Sequence, residues 1–164
     1  HIFTACNHGI RMGRDPATVA EMPDPLREAV DLGVGVEGEF YVGTAAHVFM
    51  QDVDASVLEV NRPPRTQPGL WCQWVPTDDG RELGWDGGEK FYEYEEWLVD
   101  LVDKFLDPWG YTLTGTVEWQ GEDRHDRGRL VARVEPTATP QTIIERQQAG
   151  TVYTTQAGRI VLDA

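Results

Sequence analysis

Cysteine is nearly absent from this chain: its 164 residues hold two, Cys6 and Cys72. Two thiols cannot build a disulfide framework or a zinc-finger spacing, and a reducing compartment is the default expectation. Long apolar runs are missing too. No stretch approaches the roughly 18 apolar residues that announce a membrane span, and no secretory leader is visible. Positive charge is the third scarcity. Lys and Arg number 14 against 28 Asp and Glu, for a formal net charge of −14. Such a chain repels a nucleic-acid backbone and an anionic membrane, so neither is an expected partner. A basic protein surface is a compatible one.

Catalytic signatures are also scarce. Gly33-Val34-Gly35 and Gly84 to Gly88 lack the spacing and context of a phosphate loop. There is no G-x-S-x-G elbow, no Cys/His dyad and no H-E-x-x-H. His1, Cys6 and His8 are metal-ligand types without a recognised spacing. The densest polar cluster is Glu122-Asp123-Arg124-His125-Asp126-Arg127. His125 with Asp126 could act as an acid–base pair, and Glu122, Asp123 and Asp126 could hold a hard cation. A hairpin loop is normally this polar, however. The expectation is no catalytic residue, no metal and no cofactor: a binding protein rather than an enzyme.

What is present is a soluble, globular composition, 40% apolar and 26% charged, long enough for one core or two small domains. All six tryptophans fall between Trp71 and Trp119. Between them lies the stretch Glu89 to Tyr111. Placed on a helix, Phe91, Tyr94, Leu98, Leu101, Val102 and Phe105 gather on one side. Glu93, Glu96, Asp100, Asp103 and Asp107 gather on the other. The spacing predicts one long amphipathic helix ended by Pro108, with an acidic outer face relieved only by Lys104. Such a helix of about 14 residues would spread carboxylates over roughly 20 Å, enough to imitate part of a nucleic-acid backbone before a basic partner.

The rest of the chain alternates short elements. Asp15-Pro16 and Asp24-Pro25 read as helix starts, the second helix running Leu26 to Leu32. Val34 to Val42 alternates like a half-buried strand, Thr44 to Met50 is ambiguous, and Ser56 to Val60 reads as a strand. Asn61 to Gly69 has the prolines of a linker. Leu70 to Val75 and Arg81 to Trp85 form a hairpin around Asp78-Asp79-Gly80. Tyr111 to Gln120 is the strongest strand, followed by Arg129 to Glu135. Thr139-Pro140 opens a short helix through Ile143 and Ile144 that ends near Gly150. Thr151 to Thr155 and Arg159 to Asp163 close with a hairpin. The expected class is α+β: a mainly antiparallel sheet of hairpins against one long helix and one or two short ones. The expected division is an N-terminal α/β segment 1–60, a linker 61–69 and a core 70–164.

Leu70 to Pro76 (L-W-C-Q-W-V-P), Trp85 to Leu98 (W-D-G-G-E-K-F-Y-E-Y-E-E-W-L) and Pro108 to Asp123 (P-W-G-Y-T-L-T-G-T-V-E-W-Q-G-E-D) together resemble a family of small proteins encoded by bacteriophages and prophages. The likeness covers roughly residues 70 to 134. Family members usually carry Asn where Thr114 stands, and their N-terminal parts differ from residues 1–60. The resemblance implies a phage origin and the cytoplasm of a bacterial host; it implies no reaction.

Two binding sites follow as expectations. The first is the acidic face Glu93, Glu96, Asp100, Asp103 and Asp107, holding a basic host protein in counter-defence or host takeover. The second is the basic run Arg124, Arg127, Arg129 and Arg133 beside Trp119. Arginine forks suit phosphate or carboxylate, and a neighbouring aromatic suits a nucleotide-like ligand sequestered by a homo-oligomer. A minor virion component is the remaining alternative.

Overall fold

The computed structural model describes residues 9–10, 12–43, 54–88, 90–136, 141–148 and 160–163. His1, Cys6, His8, Glu89, the ambiguous stretch 44–50 and the strand expected at 151–155 lie outside them. In chain order the elements are β1 (Gly9–Ile10), β2 (Gly13–Arg14), α1 (Pro16–Ala20), α2 (Pro25–Glu28), β3 (Val57–Glu59), β4 (Trp71–Cys72), β5 (Trp74–Pro76) and β6 (Glu82–Trp85). Then follow α3 (Tyr94–Leu101), a π-helical segment (Val102–Leu106), β7 (Thr112–Gln120), β8 (Arg127–Glu135), β9 (Gln141–Gln148) and β10 (Ile160–Asp163). The chain divides into two compact units, His1–Trp74 with Gly87–Trp97 and Val75–Asp86 with Leu98–Ala164.

The first unit has two small antiparallel ladders, β1 with β4 and β2 with β3. Its first helix starts where the Asp-Pro signal puts it. The Asp15 side chain accepts the Thr18 amide at 3.1 Å, and Pro16 occupies the first turn. The second helix is shorter than expected, ending at Glu28. The strand expected over 34–42 does not form. Gly35 and Gly38 adopt positive φ, and the chain turns back so that Phe40 N–H bonds the Val34 carbonyl at 3.2 Å. Alternation alone could not reveal that these glycines are used for turning.

Ionic groups fill much of this unit's interior. Arg14, Asp24, Arg27, Glu39 and Ser56 are all buried. One guanidinium nitrogen of Arg14 donates to Asp54 at 2.7 Å and to Ser56 at 2.6 Å, and the group lies 4.5 Å from the Tyr41 ring centre. Asp24 accepts from Arg27 Nε at 3.1 Å and from the Val42 amide at 2.8 Å. The proline-rich stretch 61–69 is hydrogen-bonded within this unit. Pro64 and Gln67 are buried, Gly13 N–H bonds the Arg62 carbonyl at 3.1 Å, and Glu37 accepts the Arg65 amide at 2.6 Å.

The second unit is built on a six-stranded sheet of order β5-β6-β10-β7-β8-β9. The ladders from β6 through β10, β7 and β8 to β9 are antiparallel, so the α+β expectation holds with a mainly antiparallel sheet. Its apolar interior includes Leu83, Leu98, Leu101, Phe105, Leu106, Leu113, Leu130 and Ala132. The short helix expected through Ile144 is instead β9, because pairing with β8 along its whole length, from Gly128↔Gln148 to Glu135↔Gln141, satisfies its backbone. Thr142 then serves as a junction: its hydroxyl accepts the Leu113 amide of β7 at 3.0 Å.

The single long helix over 89–107 is not what forms. Phe91 precedes α3, and Glu93 takes a left-handed φ of 55°, which closes the α-helix to extension on that side. After Leu101 the bonding widens: Asp107 N–H reaches the Val102 carbonyl, five residues back, at 2.9 Å. A π turn rotates everything beyond it by about one residue relative to an α-helix. The apolar positions Leu98, Leu101, Val102 and Phe105 stay buried, while the outer face loses its straight line of acids.

Candidate functional site

The five carboxylates expected on one acidic face have three different fates. Glu93, Glu96 and Asp103 are exposed, with no ion pair among the described residues. Glu93 and Glu96 belong to the first unit and Asp103 to the second. Asp100 is turned inward: its side chain retains 8% exposure and pairs with Lys104. Asp107 is also withdrawn. One carboxylate oxygen is buried without a hydrogen-bond partner. Burial raises its pKa above the ordinary carboxylate value, the Asp103 charge adds to the rise, and the Thr142 amide offsets part of it. Asp100 and Asp107 are therefore less exposed than Glu93, Glu96 and Asp103.

Glu93 has an unusual setting. Its left-handed backbone is uncommon for a residue with a long side chain. Its carboxylate lies against Gly69, where a Cβ would stand 2.6 Å from Glu93 Oε2 and push that side chain aside. The Glu93 carbonyl accepts the Trp97 amide at 2.8 Å, anchoring the first turn of α3. The neighbouring Tyr92 is exposed.

The basic run lies where β7, β8 and β9 adjoin. Directly paired residues share a face, and successive residues alternate. Gln120↔Arg127 and Glu118↔Arg129 put Arg127 and Arg129 on one face of the sheet, and Arg133 follows by the same period. Trp119 pairs with Gly128 and so occupies the opposite face. The arrangement thus separates Trp119 from the arginines that it was expected to join. Its indole instead crosses Gly128, where a Cβ would meet Trp119 Cζ2 at 2.7 Å and collide with the Gln147 carbonyl. The guanidinium of Arg146 caps it, 4.5 Å from the ring centre.

The four arginines differ in what holds them. Arg133 is taken up by acids: its Nη2 lies 2.8 Å from Glu145 and its Nη1 3.7 Å from Glu135. The hydrogen bond and charge of Glu145 raise its pKa further, with Glu135 contributing. Arg129 Nε donates to the Gln147 side-chain oxygen at 2.9 Å, and Arg124 Nε to His125 Nε2 at 3.2 Å. Arg127 is exposed. Arg124, Arg127 and Arg129 have no carboxylate ion pair among the described residues.

The His125 loop is a tight turn. The Asp123 carboxylate accepts the His125 amide at 2.8 Å, and the Gly121 amide bonds the Asp126 carbonyl at 2.6 Å. Asp123 and Arg124 thus engage His125, and Asp126 folds against Gly121. Among the described residues no three His, Cys, Asp or Glu side chains gather to hold a metal ion, and no helix is long and apolar enough to cross a membrane.

Sequence reasoning missed Arg146 and Gln147, which supply the cap on Trp119 and the brace on Arg129. Residues 142–147, Thr-Ile-Ile-Glu-Arg-Gln, carry no period-2 alternation, so no local signal marked them as a strand. Comparison with protein-family models, with curated proteins and with solved structures finds no match.

Proposed function

We propose that this chain is a non-enzymatic binding protein that holds a basic protein surface through exposed carboxylates. One observation supports the reading. Five of the scarce cations are directed to acids within the chain: Arg14 to Asp54, Arg27 to Asp24, Arg65 to Glu37, Lys104 to Asp100 and Arg133 to Glu145. With a net charge of −14, that leaves exposed acids such as Glu93, Glu96 and Asp103 uncompensated. An acidic surface steers and orients a basic partner. The phage resemblance makes a host factor the natural partner, and counter-defence or host takeover the setting.

The contact is narrower than one long stripe. Glu93 and Glu96 form one half and Asp103 a separate half, so the two are tested separately. The immobilised chain is incubated with host lysate, then washed with increasing salt. Basic proteins should be retained at low salt and released near 1 M, where the Debye length is only about 3 Å. Neutralising Glu93→Gln with Glu96→Gln, or Asp103→Asn, should lower the affinity of a purified captured protein. Equal affinity for wild type and both neutralised forms would refute the reading.

A further inference from the structure

We infer that the outer face of β8 is a separate site for a compact polyanion of the condensed-phosphate class. The inference is independent of the acidic surface. Acids outnumber cations twofold, yet Arg124, Arg127 and Arg129 fall within six positions without an ion pair to any described carboxylate.

Geometry gives that cluster a use. Arg129 and Arg124 are each held through Nε by an acceptor that is not a carboxylate, Gln147 at 2.9 Å and His125 at 3.2 Å. An arginine braced at Nε keeps its two outer nitrogens as a fork, the arrangement that takes phosphate oxygens in pairs. Arg127 lies two residues before Arg129 on the same face, about 7 Å along the strand. Flexible side chains on that spacing can converge on one anion carrying several charges.

Asp123 is engaged by the His125 amide and Asp126 is folded against Gly121. Glu118, directly across from Arg129, is the competitor that a ligand must displace or tolerate. The register also narrows the ligand class. Trp119 is on the other face, under Arg146, so this site offers no indole for a nucleobase. Charge is recognised rather than a base.

Isothermal titration of the full chain with tripolyphosphate, pyrophosphate, monophosphate and ATP tests this. Tripolyphosphate and pyrophosphate should bind, monophosphate more weakly, and ATP no tighter than tripolyphosphate. Arg127→Ala with Arg129→Ala should weaken tripolyphosphate by about tenfold or more. Gln147→Ala should weaken it less, and Glu118→Gln should strengthen it. Arg133→Ala, which removes an arginine committed to Glu145, should have little effect. Circular dichroism confirms that each variant is folded. No heat with either condensed phosphate, binding unchanged in the double variant, or ATP far tighter than tripolyphosphate would overturn the inference. None of these results bears on capture of a basic protein by the acidic surface.

Discussion

Replacing Arg14 with Met should cost the first unit about 3–4 kcal/mol. The substitution removes a guanidinium that serves Asp54 and Ser56 at 2.7 and 2.6 Å and stacks on Tyr41. Breaking a buried ion pair by deleting one partner typically costs about 3–5 kcal/mol, since the remaining charge is stranded. Asp54 retains 25% side-chain exposure and can be partly rehydrated, which moves the expectation to the lower half of that range. Met fills most of the vacated stem, so little cavity cost is added. With an m-value of about 2 kcal/mol per molar urea, the midpoint should fall by roughly 1.5–2 M. Tryptophan fluorescence and far-ultraviolet dichroism read it. Arg14→Lys should lose less, keeping the charge without the fork. In an Asp54→Asn background the Met substitution should cost distinctly less, because no full charge is stranded. A loss below about 1 kcal/mol, or identical losses in both backgrounds, would refute the account of a buried ionic core.

Four further outcomes are expected. Asp107→Asn should stabilise the chain at neutral pH. The raised pKa of Asp107 means that its contribution is fullest below the ordinary carboxylate value and is lost as pH rises through the folded-state pKa; a wild-type-minus-variant difference that does not vary with pH would contradict this. Thr142→Val should cost about 1–3 kcal/mol by leaving the Leu113 amide unpaired, whereas Thr142→Ser should be nearly neutral in urea titration. Gly128→Ala should cost about 1–3 kcal/mol through overpacking against Trp119, visible as a lower melting temperature and a changed Trp environment. Glu93→Gly should raise stability by about 0.5–1 kcal/mol, as relief of left-handed strain exceeds the added freedom of the unfolded chain; a lower melting temperature would count against the strain.

The sequence made local features legible and left long-range ones hidden. Asp15 capping Thr18 was readable because cap and helix are three residues apart. The β7–β8 hairpin was readable because each strand alternates and the loop is short. By contrast, the alternation of Val34 to Val42 mimicked a strand, since nothing local announces that Gly35 and Gly38 take positive φ. Thr139-Pro140 suggested a helix, and only the ladder with β8 makes the following residues a strand. The acidic stripe assumed uniform α geometry; the π turn after Leu101 and the Lys104 pair that draws Asp100 inward depend on packing. For the basic run, residue types were visible but faces were not. The register that separates Trp119 from Arg129 belongs to the paired strands, not to either one alone.

The position of β10 bears on how the protein is made. It is the last of the described strands in chain order, yet it lies between β6 and β7. During translation the earlier strands must therefore wait as two unjoined ribbons, each with an open flank, until residues 160–163 emerge and zip them together. A nascent chain stalled before that point would offer two sticky borders to chaperones or to other copies.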